Sequence, residues 1–190
     1  MNKGWVLLAL TGVLALAACD GTAAPDGSAT PTGDDTAVPV AANAVELRSG
    51  GLSAGAESFF FNAGKTEVEA ALAKTLGAAL RSGENGECGA GPITFTDYAG
   101  GLTAHFQDGK LVGWNWHLPQ DGDRAATGSV SLAGAIQIGS PRAAVEAAPG
   151  FAKVEGSTLG EEFTLAGGMG GFVTGDRVEM LYAGTQCFFR

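Results

Sequence analysis

Alternating apolar and polar residues predict two β-hairpins, one in each half of the chain. In the first, Leu102–Gln107 and Lys110–His117 flank the dipeptide Asp108-Gly109. In the second, residues 170–174 and 177–183 flank a glycine and an aspartate in the same way. A dipeptide of this kind suits a type I′ turn, in which both central residues need a positive φ. Each hairpin is therefore expected to belong to an antiparallel meander.

A similar series of elements precedes each hairpin: an apolar strand, a glycine and the start of a helix. The first series runs from 59–61 to Gly64, and the second from 135–138 to Gly139. The helices that follow are short and alanine-rich, so they depend on packing for their stability. They are expected to end near Gly77 and near residues 149–150.

Local residues indicate where each helix begins. Thr66 with Glu69 three residues later fits a capping box. Ser140 followed by Pro141 fits an N-cap with proline at the first helical position. Both helices are therefore expected to begin with a side-chain cap.

The repeated series predicts an α+β fold of two diverged strand-helix-antiparallel meander repeats, with the helices packed on antiparallel sheet. The first repeat is expected at residues 45–120 and the second at residues 121–190. Chance alignment is the alternative, because the chain contains 31 glycines that can be matched in many ways.

The N-terminus has the pattern of a secretion signal. Lys3 supplies a positive charge, and a largely apolar run follows at residues 5–18. This run is shorter than the roughly 20 apolar residues that a membrane-spanning helix needs. The segment Leu16-Ala17-Ala18-Cys19 resembles the lipobox of bacterial lipoproteins, in which the cysteine sulfur carries a diacylglycerol. The resemblance implies a signal peptide at 1–18 and lipidation of Cys19; a secretory signal with an incidental cysteine is the alternative.

Residues 19–44 are expected to be the lipidated cysteine and a disordered tether. Between Asp20 and Ala44 there is no aromatic residue, lysine or arginine, so little apolar surface can be buried. Asp20 resembles the signal that retains some lipoproteins at the inner membrane. The expected location is the periplasm-facing cell envelope, with the inner membrane favoured and the outer membrane possible. The net charge of −9 disfavours nucleic acid as a partner.

Two cysteines remain once Cys19 carries lipid. An exported chain with an even number of remaining cysteines favours a disulfide, here between Cys88 and Cys187. The alternative is two separate buried thiols.

The order of elements resembles the tandem units of the beta-lactamase inhibitory protein family and the single units of SmpA/OmlA-type small lipoproteins. The resemblance covers residues 56–190 and depends on the helix starts and the repeat. It implies helices packed on an antiparallel sheet and protein binding through the open face of that sheet, without catalysis.

Strand alternation gives a candidate for that face. With a two-residue turn at 108–109, Phe106 pairs with Leu111, His105 with Val112, and Thr103 with Trp114. One face then carries Leu102, Ala104, Phe106 and Leu111. The other carries the candidate binding residues His105, Val112, Trp114 and Trp116. Tryptophan is enriched at binding hot spots but also fills cores, so burial of Trp114 and Trp116 stays open.

An enzyme is the competing hypothesis, with Ser53 and His105 as its functional residues. Residues 51–55 match the Gly-x-Ser-x-Gly nucleophile elbow, but that motif needs a buried strand before it and a helix after it. Because it follows the tether directly, a flexible turn is the favoured interpretation. No catalytic residue is therefore assigned.

No metal site or cofactor is expected. His105 and His117 are the only histidines, and no third ligand lies at metal spacing. The run at 121–124 begins like a calcium loop but has Leu132 where a bidentate glutamate is needed. Glycines at 167–171 lack the lysine of a phosphate loop and indicate a tight turn or bulge. The sequence favours a lipid-anchored, non-catalytic protein-binding or envelope-structure module that binds an unidentified envelope protein.

Overall fold

The computed structural model describes residues 41–119 and 124–188, which form a mixed α+β protein with mostly antiparallel strands. The first half contains β1 (Ala44–Arg48), β2 (Gly51–Ala54), β3 (Glu57–Phe60), α1 (Lys65–Leu76), β4 (Arg81–Asn85), β5 (Ile93–Tyr98), β6 (Leu102–Gln107) and β7 (Lys110–His117). The second half contains β8 (Ser129–Leu132), α2 (Arg142–Glu146), β9 (Ala152–Lys153), β10 (Glu161–Thr164), a 3₁₀ turn (Ala166–Gly168), β11 (Met169–Thr174) and β12 (Arg177–Gly184).

The predictions for the signal peptide, Cys19 and most of the tether fall outside the described residues. Ala44, the last residue of the predicted tether, already pairs with Ser129 as the first residue of β1. Among the helices of the described ranges, none has the length and apolar character needed to cross a bilayer.

The strands form two sheets. The larger has eight strands in the order β4-β5-β6-β7-β12-β11-β10-β9, and every neighbouring pair is antiparallel. At its centre β7 pairs with β12, with Trp116 opposite Leu181. The smaller sheet has the order β3-β2-β1-β8, in which β8 lies parallel to β1. The two meanders are thus joined edge to edge.

The core contains side chains from both sheets and from α1. Val68, Leu72 and Leu76 of α1 are almost fully buried. This helix contacts β1 and β2 of the smaller sheet and β5 and β7 of the larger one. At the centre of the core Trp114 is fully buried. Its indole nitrogen donates to the carbonyl oxygen of Arg48 at 2.9 Å and to that of Gly51 at 3.0 Å. Trp114 therefore joins β7 to the turn between β1 and β2.

The predicted side-chain caps of both helices are wrong. α1 begins at Lys65 after Gly64, and the carboxylate of Glu69 accepts a 2.6 Å hydrogen bond from Thr96 instead of returning to a cap. Pro141 is itself the N-cap residue of α2, while the Ser140 hydroxyl accepts from the backbone N–H of Gln137. In each case another hydrogen bond, with Thr96 for Glu69 and with the nearby Gln137 for Ser140, takes the side chain that a cap would need.

The predicted strand at 135–138 is also wrong, because the strand of this region is β8, which ends at Leu132. The side-chain amide of Gln137 accepts from the N–H of Leu132 and donates to its carbonyl, both at 2.9 Å. One side chain thus supplies the hydrogen bonds that a neighbouring strand would have supplied, and the backbone at 133–140 is free to form a loop.

The first hairpin has the predicted strand bounds and turn. Asp108 and Gly109 have φ of 50° and 71°, which suits a type I′ turn. Phe106 is opposite Leu111 as expected, but His105 is opposite Gly113 because Val112 is an extra residue, a β-bulge.

Because of this bulge, the predicted faces of β7 are wrong. Beyond Val112 every side chain of β7 lies on the face opposite to the one expected, so Trp114 is opposite Ala104 and not Thr103. Trp114 and Trp116 therefore share the core face with Leu102, Ala104, Phe106 and Leu111, and they are 0% and 8% exposed.

The second hairpin has the same irregularity. Val173 is opposite Val178 and Phe172 is opposite Met180, which leaves Glu179 as the extra residue. Its turn differs, because only Gly175 of the two central residues has a positive φ. The glycines before β11 form the tight turn that was predicted, with φ of 80° at Gly167 and 82° at Gly168.

The two buried tryptophans offer a test of how the sheets are joined. Trp114→Phe removes the donor shared by two buried carbonyls of the β1–β2 turn, so we expect the free energy of unfolding to fall by about 2–4 kcal/mol. Trp116→Phe is the matched control, because among the described residues its indole donates only to Gly100, in the turn between β5 and β6. Urea denaturation measures both, and an equal loss in the two variants would contradict this role of Trp114.

Candidate functional site

Strand alternation divides the eight-stranded sheet into a core face and an outer face. Because Trp114 and Trp116 point into the core, Asn115 and His117 lie on the other side of β7. Thr103 and His105 lie on that side of β6. We call this side the outer face; in the second half of the sheet it carries Phe172 and Tyr182.

The outer face of the first half carries a hydrogen-bonded polar group centred on Asp97. One oxygen of this carboxylate accepts from the Arg81 guanidinium at 2.8 Å, and the other accepts from the Thr103 hydroxyl at 2.8 Å. The Arg81 guanidinium also lies over the Phe95 ring, 5.1 Å from its centroid. The arrangement neutralises the carboxylate and fixes its orientation.

His105 lies beside this group and is 7% exposed. Its Nε2 is 2.9 Å from the Asn115 amide nitrogen, so the amide donates and the imidazole proton is placed on Nδ1. That Nδ1 is buried and has no hydrogen-bond partner among the described residues. Burial lowers the pKa of His105 to about 4, although the nearby Asp97 acts in the opposite direction. The side chain is therefore neutral at physiological pH.

Two clefts open on this part of the outer face. One, of about 240 Å³, lies over Phe95, His105 and Asn115. The other, of about 330 Å³, extends past Tyr98 to His117. Arg81, Asp97 and Thr103 line both clefts, so the polar group stands between them.

The C-terminal segment at 185–188 borders the smaller cleft. Its Thr185 N–H donates to the carbonyl of Val112, and the Gln186 amide donates to the carbonyls of Trp114 and Ala183. A Cβ at Gly113 would lie 2.4 Å from the carbonyl oxygen of Thr185, so a glycine is required under this segment.

A disulfide between Cys88 and Cys187 holds the segment in place, which confirms the predicted pairing. The Cα atoms are 5.1 Å apart and the two cysteines are 99 residues apart in sequence. A loop of this size contributes about 4.7 kcal/mol to stability in the chain-entropy description.

Aromatic side chains cover the outer face of the second half. Phe172, Tyr182 and Phe188 form a three-ring cluster with centroid separations between 5.1 and 5.9 Å. The Tyr182 hydroxyl donates to the Glu162 carboxylate at 2.6 Å, which fixes the orientation of the ring. Gly170 lies beneath it, where a Cβ would be 2.4 Å from the Tyr182 ring. We call these three rings the aromatic cluster.

The predicted binding residues are separated by the sheet. Trp114 and Trp116 are core residues, so Trp114 has no surface that a partner could contact. Val112 is the partly buried bulge residue, and His105 lies on the outer face beneath the cleft. Of the four, His105 is the one that belongs to the candidate site.

The enzyme residues are also separated. Ser53 lies within β2 and not in the flexible turn that was expected, is 1% exposed, and shares a 2.9 Å hydrogen bond with the Ser58 hydroxyl. His105 is in the other sheet and is bonded to Asn115. The structure does not bring Ser53 and His105 together.

Several residues of the site were missed at the level of sequence. They are Arg81, Asp97, Asn115, Phe172, Tyr182 and Phe188. Alternation along β5 and β12 identifies the outer positions Asp97 and Tyr182 once the core face is known. The contribution of Phe188 depends on the disulfide and has no local signal.

Metal-ligating residues do not cluster in the part of the chain that the structure describes, where no three histidine, cysteine or acidic side chains come together. The calcium-like run lies mostly outside the described residues, at 121–123.

No protein-family model, curated protein or solved structure matches the chain.

The lowered pKa of His105 predicts a pH dependence of stability. Between pH 6.5 and pH 4 the unfolded chain protonates this imidazole and the folded chain does not, so the free energy of unfolding falls on acidification, by about 3 kcal/mol in total. His105→Asn should reduce this fall, whereas His117→Asn should keep it. Urea denaturation at a series of pH values measures the slopes, and the same slope in the wild type and His105→Asn would contradict the prediction.

Proposed function

We propose that the chain is a lipid-anchored cell-envelope protein whose outer face binds an envelope protein without catalysis. The lipobox-like segment Leu16-Ala17-Ala18-Cys19 supports the anchor. The disulfide supports an oxidising compartment, because such bonds are rare in the cytosol. The proposed location is the periplasmic side of the envelope, with the inner membrane favoured by Asp20.

We further propose that the folded part consists of two diverged repeats. Matched hydrogen bonds between the residues before each helix and each hairpin support this. In the first half the N–H of Asn62 donates to the carbonyl of Leu111, and the N–H of Leu111 donates to the carbonyl of Ala63, both at 2.8 Å. In the second half the N–H of Gly139 donates to the carbonyl of Val178 at 2.8 Å, and the N–H of Val178 donates to the carbonyl of Ser140 at 2.9 Å.

The helix starts match in the same way. The Lys65 N–H donates to Gly109, and the Arg142 N–H donates to Asp176. Each hairpin then contains one extra residue at the corresponding position, Val112 or Glu179. In this alignment Gly64 corresponds to Pro141, two residues beyond the glycine that the sequence comparison had paired with it.

The aromatic cluster is the observation that carries the binding proposal. Aromatic side chains provide most of the energy at many protein interfaces, particularly when their conformation is fixed in advance. Tyr182 is held by Glu162, and Phe188 is held by the neighbouring disulfide at Cys187. The cluster is thus a partly exposed apolar surface that loses little side-chain entropy on binding.

Catalysis by Ser53 and His105 has no support in the geometry. A nucleophile and its base need hydrogen-bond contact, and each of these residues is bonded to a different partner.

The anchor is tested by mass spectrometry of the protein isolated from membranes of the bacterium that produces it. We expect a chain beginning at Cys19 with acyl chains attached, and Cys19→Ser should release the protein from the membrane fraction because several acyl chains are lost. A chain that retains residues 1–18 with an unmodified Cys19 would contradict the anchor.

Binding is tested by cross-linking in the native envelope with a matched pair of variants. Phe172→Ala removes one ring of the aromatic cluster and should reduce the recovery of a cross-linked protein roughly tenfold or more. Phe60→Ala removes a ring that is 73% exposed on the edge strand of the smaller sheet, and recovery should not change. Loss with Phe60→Ala and not with Phe172→Ala would place the binding surface elsewhere.

A further inference from the structure

The two clefts beside Asp97 have the chemistry of a small-ligand site. The smaller, at about 240 Å³, is below the roughly 300–1,000 Å³ of sites for drug-sized ligands, so one small ring is the unit that it would accept. The adjoining cleft of about 330 Å³ could take a second unit of similar size. The polar group of Arg81, Asp97 and Thr103 lies at their junction.

Two polar atoms below the smaller cleft have no partner among the described residues. One is Nδ1 of His105, whose side chain is more than nine-tenths buried, and the other is Oε1 of Gln186. Leaving a buried polar atom unpaired costs about 1–3 kcal/mol, so such atoms are uncommon in folded proteins. His105 offers a donor and Gln186 an acceptor, and a hydroxyl can both accept and donate.

The charges around the clefts favour a neutral ligand. Arg81 is already paired with Asp97 at 2.7 Å, and His105 is neutral. The net charge of −9 opposes an anionic ligand, and no unpaired carboxylate of the cleft lining attracts a cationic one. The polar contacts available are planar amide, imidazole and carboxylate groups, with the Phe95 and Phe188 rings beside them.

We propose that the paired clefts on the outer face of β4–β7 bind a neutral saccharide, with one sugar ring in each cleft and the Asp97 group between them. Ring hydroxyls would hydrogen-bond to Asp97 and Asn115 and, once the Gln186 side chain turns outward, to the buried pair, while a ring face would pack on Phe188. This site adds to the proposed protein-binding role. It shares Phe188 with the aromatic cluster, but its polar contacts lie in the first half of the sheet, so the two roles can be tested separately.

The test uses the full mature chain, with its disulfide intact, in a detergent that has no sugar headgroup. Maltose and N,N′-diacetylchitobiose are the neutral probes, and glucuronic acid is the anionic comparison. Titration is followed by backbone amide NMR shifts. We expect saturable shifts with at least one neutral disaccharide, confined to β4–β7 and residues 185–188, and none with glucuronic acid.

Two threonine variants make the test specific. Thr103→Val removes the hydroxyl that holds Asp97 and should weaken binding roughly tenfold, as expected for one lost hydrogen bond in a desolvated site. Thr164→Val is the matched control on β10, where the hydroxyl bonds only to the Ala152 carbonyl, and affinity should not change. Far-UV circular dichroism checks that both variants are folded.

Three outcomes would overturn the saccharide site. They are the absence of shifts with both neutral disaccharides, shifts outside the clefts, and equal weakening by Thr103→Val and Thr164→Val. Saccharide binding without cross-linking at the aromatic cluster would leave this site standing and reject the protein-binding role. The reverse result would reject this site alone.

Discussion

The extra residue in β7 is the constraint on which both faces of the eight-stranded sheet depend. Side chains alternate along a strand, so an inserted residue moves every later side chain to the opposite face. Because Val112 has no partner in β6, Trp114 points into the core and reaches the carbonyls of the β1–β2 turn. The same shift sets Gly113 opposite His105, where the absence of a side chain lets Thr185 pass. The core contact and the crossing of the C-terminal segment therefore share one cause.

Much of the local architecture could be predicted from the sequence. Residues 108–109 indicated a turn with positive φ, and both strands of that hairpin have the expected bounds. The pairing of Cys88 with Cys187 followed from counting cysteines in a chain that is expected to be exported. These predictions succeeded because each depends on turn chemistry or on a small number of possible partners.

The predictions that failed depended on side-chain hydrogen bonds that the local sequence pattern does not specify. Glu69 could serve as a cap by its spacing, but Thr96, on a strand of the larger sheet, binds it in the fold. Gln137 looked like one residue of an apolar strand, whereas its side chain bonds to the Leu132 backbone. The outer-face site was hidden for the same reason, since Asp97, Asn115 and Phe188 meet only after the bulge and the disulfide have set their positions.

The order of strands also determines how little of the larger sheet is left for pairing with other molecules. Its lateral borders are β4 and the two-residue β9, while the long strands β7 and β12 are in the middle. A long unpaired border would act as a template for pairing with another molecule. On one side the border is too short to act as a template, and on the other Arg81 and Glu84 place charges along it. The union of two meanders at their longest strands thus leaves the larger sheet poorly suited to the addition of a further strand.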